Sequence, residues 1–258
     1  MTALADKKIS ARQAAVTAAC SILSALALWE VAGRAGLFDQ RLVPVPSAVA
    51  AGLLELALDG TLVDDMAATV LRVACGFVVG TTMGVLLGLL TGLTERGRYI
   101  IEPLVQLLRP IPAVALIPIA IAWFGIGETE KIFIVTWASF FPVWLNTHAG
   151  VRGVPIELIW TGLTLGAHKR RITLEVIVPA ALPHLVTGAR VALGLSFAAT
   201  VVAEISGAAV GLGYRSFIYH AGAQRERMLA AIVVIGIFGA LIDRAYQYAI
   251  RKAFPWLV

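Results

Sequence analysis

Residues 68–92 read ATVLRVACGFVVGTTMGVLLGLLTG, and this stretch decides the fold class. Arg72 is its only charged residue. A helix crosses the hydrocarbon core with about 20 mostly apolar residues, so the stretch is long enough to span a bilayer. Gly76, Gly80, Gly84 and Gly88 fall four residues apart. On a helix that spacing puts all four on one face, where a second helix can approach the backbone closely. One side of the expected span is therefore given to a neighbour.

Similar apolar runs lie on both sides of it. We expect six spans, at about 13–31, 68–92, 101–124, 131–150, 185–206 and 228–249. The composition agrees. Of 258 residues, 59% are hydrophobic and 14% charged, and mean hydropathy is +0.85. A soluble domain is usually about half apolar and a quarter charged. The chain is expected to be all-α and polytopic, with no room for a soluble domain. Lys7, Lys8 and Arg12 ahead of the first apolar run suggest a signal peptide, but the run from Ala14 to Trp29 is long for one and the cleavage site is poor,. An uncleaved first span is expected.

The third span is unusual. Pro103, Pro110, Pro112 and Pro118 fall within it, with Arg109. Interior prolines remove backbone hydrogen bonds and kink a helix. Two forms are open: an interfacial helix at 99–108 followed by a short span from Pro110 to Phe124, or one broken helix. Ser47, after Pro44-Val45-Pro46, is expected to cap a helix over 48–58,.

Charge sets the expected orientation. With the N-terminus in the cytoplasm, twelve Lys and Arg fall inside and six outside. That excess places both termini in the cytoplasm, and it accounts for the net charge of +5 without nucleic acid. Cys20 and Cys75 lie in apolar runs, and the four histidines lack ligand spacing. No metal or disulfide framework is expected. No phosphate-loop, G-x-S-x-G or H-E-x-x-H motif occurs, so no catalytic residue or cofactor is expected, and any ATP would be hydrolysed by another chain.

The inside segment 151–184 is too long for a plain connector. Pro155 can start a helix, Leu158, Ile159, Leu163 and Leu165 give it an apolar side, and Gly166 can end it,. A second short helix is expected from His168, with Pro179 and Pro183 ending it. Physics alone leaves two readings, an ordinary interfacial loop or a docking element for a soluble partner.

Here the sequence resembles a known family, the binding-protein-dependent ABC permeases. Their cytoplasmic loop carries Glu-Ala-Ala, three residues, Gly, nine residues, then Ile-x-Leu-Pro. Gly166 fits the glycine, and Val176-Ile177-Val178-Pro179 stands for the last element. Trp160, Thr161 and Gly162 replace Glu-Ala-Ala, and Glu157 lies one turn too early to substitute for the missing acid. Further blocks resemble the sulfonate, taurine and nitrate branch. They are Leu42-Val43-Pro44-Val45-Pro46-Ser47, Arg109-Pro110-Ile111-Pro112, Trp123-Phe124-Gly125-Ile126-Gly127, Phe141-Pro142 with Asn146-Thr147, Val202-Ala203-Glu204 and Gly211-Leu212-Gly213-Tyr214. The likeness covers roughly residues 42–256.

The resemblance implies a type I ABC importer permease in the bacterial inner membrane. It implies an N-terminal segment 1–61 with the first span and an external loop, a five-helix core at 62–249 with a coupling loop at 155–176, and a tail at 250–258. It also implies a homodimer in membrane lipid, two ATPase subunits and an extracytoplasmic solute-binding protein. The ATPase-coupling residues would be Leu158, Trp160, Thr161, Gly162, Leu165, Gly166, Ala167, His168, Lys169 and Pro179. Ionisable groups within spans are functional candidates or are paired structurally. Arg72 and Arg190 are expected to pair or to reach opposite membrane faces. The pathway candidates are Arg109, Ser139, Asn146, Thr200 and Glu204. The cargo is expected to be a small anion or zwitterion, which requires Glu204 to be paired or off the path. The rivals are a secondary transporter or channel, expected to show inverted repeats, and a membrane enzyme, which needs a cluster of acid, base or metal ligands.

Overall fold

The structure is a computed structural model and describes residues 11–257. Lys7 and Lys8, two of the basic residues in the orientation argument, lie outside the described residues. Helix α1 covers Ala11–Arg34, α2 Pro46–Leu58, α3 Leu62–Leu93 and α4 Glu95–Leu108. A 3₁₀ turn at Ala113–Leu116 leads into α5, Ile117–Phe124. Helix α6 is Glu128–Arg152, α7 Ile156–Thr164 and α8 Lys169–Ile172. A π turn at Thr173–Ile177 joins α8 to α9, Val178–Ile205. Helix α10, Leu212–Ala221, α11, Arg225–Ala253, and a 3₁₀ turn at Pro255–Leu257 complete the described residues. No strand occurs among the described residues.

The glycine stripe builds the centre. A Cβ on Gly76 would lie 2.5 Å from Val135, on Gly84 2.8 Å from Val143, on Gly88 2.6 Å from Thr147 and on Gly92 2.8 Å from Val151. Residue numbers rise together on the two helices, so α3 and α6 run parallel at backbone contact. On the far side of α6, a Cβ on Gly150 would meet His184 at 2.7 Å, and one on Gly188 would meet Asn146 at 2.6 Å. Those numbers run in opposition, so α9 is antiparallel to both. Helix α6 is thus enclosed between α3 and α9, and Ile134, Val143 and Trp144 are fully buried.

The six-span expectation is not matched in number. Among the described residues, four helical runs are long and apolar enough to cross a membrane, 16–34, 62–93, 169–205 and 225–253, or five if α4 and the 113–124 segment form one broken span. Helix α6 fails on composition, not on length. Its 25 residues reach about 37 Å,. Its interior, 132–149, carries no acidic residue, lysine or arginine, but Thr136, Ser139, Pro142, Asn146, Thr147 and His148 lower its hydropathy, which it tolerates because most of its perimeter faces protein rather than lipid. Between α4 and the 113–124 segment the chain bends by 85°. This is the form with a separate helix followed by a short apolar one.

Three local expectations are corrected. Pro179 and Pro183 do not end a helix: the run from Lys169 to Ile205 is continuous. Pro179 lies inside this run with no N–H to give to the preceding turn, and the π turn at Thr173–Ile177 just before it takes up the misfit,. Ser47 does not cap α2. Val45 does, with Pro46 in the first turn, while the Ser47 N–H and hydroxyl both bond Glu30 of α1, at 2.9 and 2.8 Å. Gly211-Leu212-Gly213-Tyr214, for which the family resemblance implies a turn, instead opens α10, with Gly211 as its N-cap.

The order of elements separates two ends. Helix α9, 28 residues and about 42 Å long, has α7 and α8 at its start and α10 beyond its finish,. Helix α11 runs from the α10 end, where Glu55 of α2 pairs with Arg227 at 2.9 Å at its start, to the α7 end, where Arg190 of α9 meets Asp243. The C-terminal end of the described chain therefore emerges at the α7 end.

Candidate functional site

At the α7 end, the loop forms a helix, a glycine corner and a second helix. The Gly166 N–H donates to Leu163 O at 2.9 Å and the Ala167 N–H to Gly162 O at 3.0 Å. This pair of bonds is the Schellman motif, which needs a left-handed residue at the corner. Gly166 supplies it with φ +78°, and its missing side chain would point into open space. The glycine is there for its backbone angle. Gly162 is there for space: a Cβ would come 3.3 Å from Ile172, the buried residue of α8. That contact sets α7 against α8.

The outward side of α7 is apolar. Leu165 is 82% exposed and Trp160 60%, with Leu158 and Leu163 also exposed. Thr161 turns its hydroxyl inward to Glu157 O at 2.7 Å. His168 precedes α8, and its carbonyl accepts from Arg171 at 2.9 Å. Lys169 opens α8, next to Arg170 and Arg171. With Pro179 on the exposed first turn of α9, all ten coupling candidates fall on one continuous loop. The charged α8 beside it marks a polar boundary, so α7 presents apolar side chains where a lipid interior does not account for them.

A cavity of about 550 Å³ opens between the bent segment, α6 and α9. Arg109 and Asn146 line it, with Trp137, Phe141, Val191 and Leu195 supplying apolar wall. Arg109 closes α4, and its polar contact is Gln106 at 3.5 Å, with no carboxylate beside it among the described residues. The Trp137 indole N–H holds the proline turn through Ile111 O at 3.2 Å. Of the five pathway candidates, the structure brings together only these two. Ser139 is fully buried between α3 and α6, bonded to Val135 O at 3.0 Å and Gly76 O at 3.3 Å. Thr200 is fully buried and bonds Ser196 O at 2.8 Å. Glu204 is fully buried elsewhere. These three are helix-packing groups in this protomer, not wall.

Glu204 belongs to a clamp at the α10 end. Its carboxylate accepts from Thr69 at 2.7 Å, Arg72 at 2.8 Å and the Gly213 N–H at 2.7 Å. Arg72 also forks onto Glu128, with two bonds of 2.6 Å, and reaches Val210 O at 2.7 Å. Asp65 accepts from the Gly211 N–H at 2.8 Å and from Arg215 at 2.6 Å, and Thr69 accepts from the Leu212 N–H at 3.0 Å. Three successive N–H groups at the start of α10 are thereby filled by side chains of α3 and α9. Negative groups are favoured there by the helix dipole. The Asp65 hydrogen bond holds the Arg215 guanidinium above its ordinary range. No Cβ fits at Gly211 or Gly213, where Glu204 and the Val201 carbonyl stand in the way. Sequence reading missed Asp65, Thr69 and Arg215. The available signal was that Asp65, Thr69 and Arg72 share one face of α3.

Comparison with known proteins decides the family. Residues 80–254 match the family described as binding-protein-dependent transport system inner membrane component. The chain belongs to that family. Among the permease's relatives is the putative aliphatic sulfonates transport permease protein SsuC of Bacillus subtilis (strain 168), 33% identical over 231 residues, 90% of this chain and 84% of that protein. Another is the taurine transport system permease protein TauC of Escherichia coli (strain K12), 33% identical over 238 residues, 90% of this chain and 86% of that protein. An inward-facing structure of the MetNI methionine ABC transporter matches with a TM-score of 0.58 and 25% identity, over 76% of this chain and 95% of that one. The permease is thus a multi-pass membrane protein of the ABC importer type.

Proposed function

We propose that this permease carries a small anionic or zwitterionic solute inward, as a homodimer fed by an extracytoplasmic binding protein and driven by two separate ATPase subunits. The exposed apolar side of α7, beside the charged α8, carries this reading: a soluble partner is the cover it fits. The α7 end then faces the cytoplasm, and both termini with it. The working core is residues 62–249, with 1–61 and 250–258 as additions. Rigid-body closure of the ATPases would move α7, and the continuous 169–205 run would pass that motion to the cavity wall on α9.

Arg109 supports the choice of cargo. A guanidinium without a carboxylate partner, in a mostly apolar cavity, attracts an anion, and Asn146 adds hydrogen-bonding capacity. A single positive group also lets the solute leave, as transport requires. Glu204 is tied to Arg72, so it does not repel an anion from the path. The relatives named for sulfonates and taurine agree in charge class.

The test has two arms. Purification from native membranes in mild detergent should bring down an ATP-hydrolysing partner chain. A strain lacking the gene should lose growth on taurine, alkanesulfonates or nitrate as sole sulfur or nitrogen source. Purification without any ATPase would remove the importer reading. Loss of sugar, peptide or cation uptake with every anion spared would remove only the cargo assignment.

A further inference from the structure

At the α7 end, α11 carries an open groove of about 420 Å³ on its surface, and a second groove of about 300 Å³ between α9 and α11 adjoins it, the two sharing Gln247 and Arg251. Their charges do not balance. Asp243 is their one carboxylate. It takes both arms of Arg190, at 2.8 and 2.9 Å, and also Gln247 at 2.6 Å. Arg244 and Arg251, which line the larger cavity, have no carboxylate partner among the described residues. Each guanidinium offers five donors in a planar fork suited to phosphate oxygens.

Depth fixes what can reach them. Arg225 and Arg244 are 19 residues apart on α11, about 28 Å along the axis. This is close to the hydrocarbon thickness of about 30 Å. Arg225 at the α10 end and Arg244 at the α7 end therefore sit at opposite headgroup levels. The helix face leading to Arg244 is graded. Ile237, Leu241, Arg244, Tyr248 and Arg251 follow at helical spacing, and the first two are exposed and apolar,. Tyr248 is 69% exposed, in the position where amphipathic rings settle at a membrane interface. An apolar strip running into an unpaired basic cavity has the form of a phospholipid: acyl chain along Ile237 and Leu241, phosphate at Arg244 and Arg251.

We propose that this groove is a binding site for the headgroup of an anionic phospholipid in the leaflet at the α7 end. Arg244 and Arg251 hold the phosphate, and the Arg190–Asp243 pair fixes Gln247 at its edge. Only the identity of the leaflet as cytoplasmic rests on the orientation proposed above. A free phosphate would use the guanidiniums but not the apolar strip.

The probe is native mass spectrometry of the detergent-purified full chain, with its partners where they co-purify, titrated with phosphatidylglycerol, cardiolipin, phosphatidylcholine or inorganic phosphate. Wild-type protein should retain phosphatidylglycerol or cardiolipin over phosphatidylcholine. The paired change Arg244→Gln with Arg251→Gln should weaken that retention about 30-fold, from roughly a factor of five per arginine at a charged surface. Lysine at both positions should restore part of it. Equal retention of phosphatidylcholine would overturn the proposal, as would binding unchanged in the glutamine pair. Retention of inorganic phosphate as strong as that of lipid would assign the site to a soluble anion instead and reject the lipid. Mutual protection by a second copy of the chain, with no lipid retained, would give the arginines to a protein interface. The wild-type comparison stands even where the glutamine pair folds poorly.

Discussion

At the α10 end the permease buries charge, and at the α7 end it exposes oil. The clamp around Arg72 and Glu204 places a guanidinium 5% exposed against a carboxylate at 0%, with nearly every donor and acceptor filled. The α7 loop leaves Trp160 and Leu165 in the open and satisfies only its own backbone. Buried, fully bonded charge locks one arrangement, because removing one member strands the other. Exposed apolar surface gains only when something covers it. The difference fits different work at the two ends: the α10 end holds the helices together, and the α7 end is, on the function proposed above, the surface a partner would cover.

The strongest way to break that contrast is at Arg72. Arg72→Ala strands Glu204 and should cost about 3–5 kcal/mol, read as a collapse in folded yield and melting temperature in detergent. Replacing both with apolar residues, Arg72→Met with Glu204→Leu, should recover much of the loss. A near-normal melt for Arg72→Ala would show that the clamp is ornamental. The glycine stripe comes next. Gly84→Val drives a side chain into Val143 and the Phe140 carbonyl and should cost about 1–3 kcal/mol, while Gly194→Ala, which meets nothing within 4 Å, should melt no lower than wild type, since alanine is the better helix former. Equal effects would deny the α3–α6 backbone contact.

The two helix corners give a finer comparison. Gly166 at the α7 end and Ala223 at the α10 end both take positive φ, +78° and +55°. Gly166→Ala should lose about 1 kcal/mol, and Ala223→Gly should gain up to about 1 kcal/mol, since a Cβ is penalised in that region. The smallest expected change in stability is at Trp160, on the proposed docking surface. Trp160→Ala should shift stability by no more than about 0.5 kcal/mol yet sharply reduce retention of the ATPase. A large loss of stability there would place Trp160 in the fold and not in the interface.

Much of this was legible in the sequence because it rests on periodicity. Four-residue spacing put Gly76, Gly80, Gly84 and Gly88 against one neighbour, and the corner at Gly166 followed from local backbone chemistry. What failed was long-range. Ser139 and Thr200 were pathway candidates as hydroxyls within spans, yet only packing decides whether a hydroxyl faces a cavity or the next helix. The number of spans erred at α6 because a helix enclosed by protein need not be apolar. The partners of Arg72 lie 56 and 132 residues away, beyond any local pattern.

The division of labour between the ends is tested most directly by hydrogen–deuterium exchange with and without the co-purifying ATPase. Amides of residues 156–167 should gain about tenfold protection or more when the ATPase is present. Those of 211–213, already bonded to Asp65, Thr69 and Glu204, should stay slow in both states. Exchange in α7 that ignores the ATPase, or that shifts only at 211–213, would contradict the account.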